Sequence, residues 1–427
     1  MNLKYLFPVL LISIATAQST TWIQPNPVQS HFTWMDALDR FESHGNVVTI
    51  ASLAAINGPF QDIQGEALHP EIRGLAGISP DPDGVWTRLP GHHWPEWRSL
   101  EAPPRFRGAS GIWSTPAGKI FVSWRLSHTI SEYSIIDGKM HMTAAWGSPG
   151  RTDGQLGEPV DIAVSVSGAY YILERLNNRI SIFNSNRKFQ KAIYSSREYP
   201  LHDPVAFTLH DGDQHWTHLR ESFLVVIDAD GKRMVKLDMT GRVLAVIDPD
   251  FPFESFEFRQ VVTDYYGSIY VTDLLNQRVH KFDSELNYLV SLGPDVENVS
   301  LRNPEGIAID NQFGQLWVSD SLGVHYYWMG TDTLHYRAGF SSLKNAVMGR
   351  FQVTEPAYVT ITINNSEGEL LETLVDSRKL LFESMQFEWK IPWGFKSDEV
   401  ELKIKLTPAY ASRRHFTKLV QQTIFLP

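Results

Sequence analysis

The sequence predicts an all-β chain, a β-propeller followed by a small β-sandwich, on three observations. The first is a repeat. Trp124, Glu174, Asp228, Asp273 and Asp320 align as one column with separations of 50, 54, 45 and 47 residues. The second is what precedes each of them: a short run of β-branched and aromatic residues, IFVS, YYIL, LVVI, IYVT and LWVS. Such runs, punctuated by Gly, Asn and Asp, favour short antiparallel strands. A period of this length with about four short strands per unit marks a propeller. The third is a change of pattern after residue 347, where the period stops and strict apolar alternation begins.

Residues 1–17 read as a secretory signal, with Lys4 in the positive segment, a short apolar run over 5–14 and Ala15-Thr16-Ala17 as the cleavage site. The apolar run is well below the ~20 residues needed to span a bilayer. The reading is therefore export rather than a membrane span, to the periplasm, the cell surface or the medium. The chain has 427 residues and no Cys, so no disulfide or thiolate site can form. An exported chain of this size held by its core alone fits a bacterial protein. The formal net charge is −10, and no Lys/Arg cluster stands out. That argues against nucleic acid as a partner. The chain is expected to be monomeric.

Residues 18–104 are expected to complete the propeller. Within them 47–56 reads as a strand pair or short helix, and 79–104 as a Pro-rich loop. The loop carries His92, His93 and Glu96, which are metal-ligand types. A ligand set at a fixed metal-site spacing is missing, so the surface-loop reading is preferred.

The repeat units occupy 105–345. Five residues after each column residue stand Thr129, Arg179, Arg233, Arg278 and His325, each followed by an apolar or aromatic residue. The Asp and Arg columns read as structural. A carboxylate closing a strand accepts backbone N–H groups nearby, and the Arg pairs with it. Functional groups more often break a repeat than follow it.

Three units carry a more specific likeness: 304–310 with 316–320, 269–273 with 276–279, and 170–183 with Asn177-Asn178-Arg179-Ile180. These resemble the NHL-repeat family of β-propellers. The resemblance implies six blades. Five are visible, so 18–104 is expected to supply the sixth or to close the ring, since an open propeller exposes unpaired edges. Some propellers of this kind are lyases with a metal in the channel, but the signature around that site is absent here, and no catalytic residue carries over.

Residues 347–427 alternate as Val359, Ile361, Ile363; Phe387, Trp389; and Val400, Leu402, Ile404, Leu406, with a hairpin turn at 364–368. That is a small β-sandwich. Residues 351–389 resemble the Ig-like module at the end of flagellar hook-capping proteins, which implies surface attachment or spacing.

No G-x-S-x-G, H-E-x-x-H or phosphate-loop motif occurs, and no cofactor or metal-ligand set is indicated. The leading expectation is a non-catalytic scaffold whose loops or channel mouth bind a peptide, protein or carbohydrate. The alternatives are a metal-dependent lyase or hydrolase with its site in the channel, and a cell-envelope structural or spacer protein. Asp161, Gln260 and Glu305, on the innermost strands, are the candidate ligand-binding residues. The irregular segments 145–158, 209–221, 248–258 and 293–303 are candidate recognition loops, with Trp146, Trp216, Phe251, Phe253 and Phe256 as their aromatics.

Overall fold

The computed structural model describes residues 22–23, 42–43, 46–47, 52–56, 74–80, 83–88, 97–101, 105–136, 139–248, 255–293, 301–310, 315–321, 323–410 and 417–426. Residues 1–17, expected to be a signal, and His92, His93, Glu96, Phe251 and Phe253 lie outside them. Among these residues the regular structure is β, apart from two single turns of 3-10 helix at Arg125–Ser127 and Ala229–Gly231.

Six four-stranded antiparallel sheets follow one another. Sheet 1 is Ser52–Ile56, Gly74–Pro80, Asp83–Arg88 and Trp97–Glu101. Sheet 2 is Ala109–Ser114, Ile120–Trp124, Thr129–Ile136 and Lys139–Trp146. Sheet 3 is Pro159–Val164, Tyr170–Glu174, Arg179–Phe183 and Phe189–Ile193. Sheet 4 is Ala206–His210, Phe223–Asp228, Arg233–Asp238 and Val243–Ile247. Sheet 5 is Phe258–Thr263, Ile269–Asp273, Arg278–Phe282 and Tyr288–Leu292. Sheet 6 is Ile307–Asp310, Gln315–Asp320, Gly323–Met329 and the distant Trp22–Ile23, which pairs Trp22 with Met329.

Each first strand touches the next, and the first strand of sheet 6 touches that of sheet 1. The architecture is a β-propeller. Its core is divided into clusters, most of them lying between neighbouring sheets. One joins Val160, Leu173 and Ile180 of sheet 3 to Phe207, Leu224 and Val226 of sheet 4. The next joins Ala206, Val225 and Ile227 to Val261, Ile269 and Val271. A single sheet would leave such a face wet; stacking buries it.

The second strands of sheets 2 to 6 end on Trp124, Glu174, Asp228, Asp273 and Asp320. Each carboxylate accepts a backbone N–H from the segment entering its own sheet: Gly157 to Glu174 (2.6 Å), His202 to Asp228 (2.8 Å), Glu257 to Asp273 (3.1 Å) and Arg302 to Asp320 (2.9 Å). Residues five positions on pair with these carboxylates: Arg179 Nε–H donates to Glu174 (2.9 Å), Arg233 pairs with Asp228, and His325 Nε2 meets Asp320 (2.9 Å). In sheet 2 the indole Nε1–H of Trp124 donates to Ser131 instead (2.7 Å). The column is a repeated internal staple.

Two expectations are corrected. Residues 79–104 are not one loop: Asp83–Arg88 and Trp97–Glu101 are strands of sheet 1. Their Pro-rich flanks hide a pairing that only the neighbouring strand supplies. The sandwich also begins earlier than 347. Thr333–Ser341 pairs with Ala346–Val353, which pairs with Ser384–Lys390. A second sheet packs on this one, with strands Leu370–Leu380, Ala357–Asn364, Glu399–Pro408 and Lys418–Phe425 in spatial order. The alternating residues of 347–427 form the core between them, with Val359, Ile361, Ile363, Phe387, Trp389, Leu402, Ile404 and Leu406 all buried.

The sandwich is docked on sheet 5 through a buried polar cluster. Tyr410 Oη–H donates to Asp264 Oδ2 (2.7 Å), and the Tyr270 hydroxyl lies 2.9 Å from that oxygen and 3.1 Å from Glu355 Oε1. Lys281 Nζ donates to the Thr354 carbonyl (2.9 Å) and pairs with Glu355. Asp264, Tyr270 and Lys281 belong to the ring; Thr354, Glu355 and Tyr410 belong to the sandwich.

Candidate functional site

The axis of the ring holds a cavity of about 560 Å3 to which the first strands of all six sheets contribute, including Ala54, Trp113, Asp161, Thr208, Gln260 and Ala308. The turns joining first to second strands, with Pro116, Ser165, Asp211 and Tyr265, shape one end of it. Inner strands run alongside one another, so one residue in two on each faces the axis. Two positions past the equivalent Gly111, Asp161, Ala206, Gln260 and Gly306 stand Trp113, Ala163, Thr208, Val262 and Ala308, of which all but Ala163 line the cavity.

Asp161 and Gln260 occupy equivalent places, at the irregularity that opens the first strand of sheets 3 and 5. Both line the cavity, and both are tied to the next sheet. The N–H of Phe207 donates to Asp161 Oδ2 (2.9 Å) and the N–H of Ile307 donates to Gln260 Oε1 (2.7 Å). The Ile162 N–H occupies Asp161 Oδ1 (2.8 Å). The carboxyl sits directly over Gly111, where a Cβ would collide with it. Burial pushes the Asp161 carboxyl up to about 7, opposed by those two N–H donors. The two side chains thus hold adjacent sheets in register at the channel wall.

Glu305 is not brought to the same place. It precedes the first strand of sheet 6 and is absent from the cavity lining. Its N–H donates to the Ser319 carbonyl and its own carbonyl accepts from Thr272 Oγ1 (2.7 Å). Burial raises its carboxyl pKa against the pull of Arg259.

Of the four candidate loops, 209–221 borders the cavity, through Leu209, His210, Asp211 and Gln214. The others link one sheet to the next, at the end where first strands begin. Trp146 is packed edge-on against Tyr170 and Phe183 and donates Nε1–H to Glu132 (2.8 Å). Phe256 is buried and stacked on Phe258. Trp216 is 68% exposed. Its loop is pinned: Thr217 Oγ1–H and the His218 N–H both donate to the Tyr265 carbonyl (2.9 and 2.7 Å), and His218 stacks on Tyr266. His210 is buried, with Nε2 3.0 Å from the Leu219 carbonyl, and desolvation depresses its pKa.

Among the described residues, the polar side chains that line the cavity without a hydrogen bond of their own include Trp113, Lys119, Thr208, Gln214 and Thr263. Sequence reasoning missed them. The signal available was the period-two alternation counted from the repeat column, which points to Trp113 and Thr208. Among the described residues no three His, Asp or Glu side chains converge to hold a metal.

No protein-family model matches the chain, and no curated protein matches it in sequence. Solved structures resemble it distantly. A streptogramin B lyase gives a TM-score of 0.42 at 15% identity, covering 62% of this chain and 78% of that one. The virginiamycin B lyase of Staphylococcus aureus gives 0.40 at 13%, covering 62% and 85%. PorZ of Porphyromonas gingivalis, described as a surface component of the type-IX secretion system, gives 0.46 at 10%; the match spans 92% of this chain and 54% of that one. Likeness at this level carries no argument, and the reading of the fold and of the site rests on this chain's own residues.

Proposed function

We propose that this protein is an exported, non-catalytic binding scaffold: an NHL-like propeller of six blades, closed by Trp22–Ile23, that takes a peptide or carbohydrate ligand in its axial cavity and carries an Ig-like module for attachment or spacing at the cell surface. One observation supports it most. The cavity presents unengaged polar and aromatic side chains, whereas its candidate acid, Asp161, already has both oxygens in backbone hydrogen bonds. A cavity of this size with a few convergent polar groups suits a small ligand or a chain end.

An enzymatic reading keeps one supporting feature, a carboxyl with a pKa near 7 in a cleft. A catalytic Asp161 would first have to release Phe207.

The test is calorimetric titration of the full chain with peptide and oligosaccharide sets, followed by Gln214→Ala, Lys119→Ala and Trp113→Ala. The expected result is a saturable ligand whose affinity drops about tenfold in each variant, ~1.4 kcal/mol, with unchanged melting temperature for Gln214→Ala and Lys119→Ala. Turnover of the ligand, or affinity unchanged in all three variants, would overturn the proposal.

A further inference from the structure

The three-stranded sheet of the sandwich exposes the face that carries Arg337 and Arg350. On it the register sets Arg337 directly opposite Arg350, with Gln386 next in line. Both arginines are exposed, and among the described residues neither side chain makes an ion pair or hydrogen bond. Like charges placed directly across a strand pair destabilise it. The next row along the sheet is Gly339, Met348 and Glu388. The Glu388 carboxylate is already paired with Lys344 Nζ at 3.0 Å.

Gly339 is a second, independent feature. Its φ is not in the left-handed region, and a Cβ built there meets nothing within 4 Å. Neither backbone conformation nor crowding requires glycine, yet glycine inside a strand weakens it and often marks the close approach of a ligand. The bare backbone leaves a groove of about 540 Å3 whose lining includes Arg337, Gly339, Met348, Arg350 and Gln386, together with the Lys344–Glu388 pair. The groove is locally positive in a chain whose net charge is −10, and residues 333–427 hold twelve Lys/Arg against ten Asp/Glu.

We propose that this groove binds an acidic glycan, a sugar chain bearing carboxylate, sulfate or phosphate groups. The two guanidinium forks take the oxyanion in bidentate fashion. A sugar ring lies over the bare backbone of Gly339 and the Met348 side chain, and the Gln386 amide serves ring hydroxyls. The face is open and lacks the deep apolar pocket in which a protein partner seats an aromatic anchor. The site shares no residue with the axial cavity, so it stands or falls independently of the scaffold proposal.

The test uses the full chain with polygalacturonate (carboxylate) and dextran sulfate (sulfate) as probes. Inorganic phosphate and sulfate are measured alongside, with neutral dextran, poly-glutamate and anionic lipid vesicles as competitors for the interpretation. At least one acidic glycan is expected to bind more weakly as salt rises and to lose about tenfold or more in affinity with Arg337→Gln, Arg350→Gln or Gly339→Val. Arg350→Lys, which keeps the charge but not the fork, is expected to fall between. Ligand-free Arg350→Gln is expected to melt higher than wild type, because the opposed charges are relieved. Gly339→Val is expected to melt no lower, which makes it a folded control. Wild-type binding by Arg350→Gln and Gly339→Val refutes the proposal. So does equal binding of neutral dextran, or a preference for poly-glutamate or vesicles.

Discussion

The contact between propeller and sandwich makes a prediction that depends on pH. Lys281 and Glu355 are both fully buried and paired, and Glu355 also meets Tyr270. Burial pushes the Glu355 carboxyl up from 4.5 to about 7, opposed by Lys281. At pH 8 the Glu355 carboxyl is ionised beside Lys281. Lys281→Met then leaves Glu355 either charged and unpaired or protonated against the medium, a cost of about 3–5 kcal/mol for a buried pair broken on one side. At pH 5 the carboxyl is neutral, and the substitution removes a buried ammonium while orphaning only the Thr354 carbonyl, so the cost should be about 1–2 kcal/mol. Restoring neutrality with Lys281→Met/Glu355→Gln should recover most of the pH 8 loss. The assay is urea unfolding followed by tryptophan fluorescence at both pH values, comparing midpoints at constant slope. A penalty equal at pH 5 and pH 8, or a double variant as unstable as the single one at pH 8, would refute the reasoning.

Further outcomes are expected. Asp161→Ala orphans the buried N–H of Phe207 and should cost about 1–3 kcal/mol in chemical denaturation. Asp161 binds its proton more tightly folded (about 7) than unfolded (3.8), so it makes wild-type stability fall as pH rises from about 4 to about 7; Asp161→Asn should flatten that part of the thermal-melt profile. Gly111→Ala drives a methyl into the Asp161 carboxylate and within 2.8 Å of the Val160 carbonyl, and should lower stability by about 2–4 kcal/mol by the same measurement. Arg179, 3% exposed and bonded to Glu174, should cost about 3–5 kcal/mol when replaced by Ala. Arg175, whose partner Asp230 is 63% exposed, should cost under about 1 kcal/mol in a parallel experiment.

Much of the fold was legible. The repeat column marks the last residues of the second strands in five sheets, and the alternating residues of 347–427 form the sandwich core. These signals are local, since strand ends and period-two faces are written in adjacent residues. Sheet 1 was harder to read, because Asp83–Arg88 and Trp97–Glu101 sit among prolines and owe their strand character to pairing. The site was read in part. Asp161 and Gln260 do reach the channel, but each is spent on a neighbouring strand's N–H, and Glu305 lies elsewhere. Irregular loops were equally conspicuous at both ends of the ring, so irregularity did not tell which end holds the cavity.

The all-β character of the chain, the points where each repeat turns over and the structural role of its carboxylate column are all written in local sequence. Those properties depend on residues within about one repeat of each other. Only the tertiary structure decided that Trp22–Ile23 joins the sheet of Met329, that Tyr410 reaches Asp264, that Arg337 faces Arg350, and which polar groups remain free in the cavity. A hydrogen bond between residues far apart in the chain leaves no periodic trace. Whether a side chain is available or already engaged is therefore settled when the ring closes.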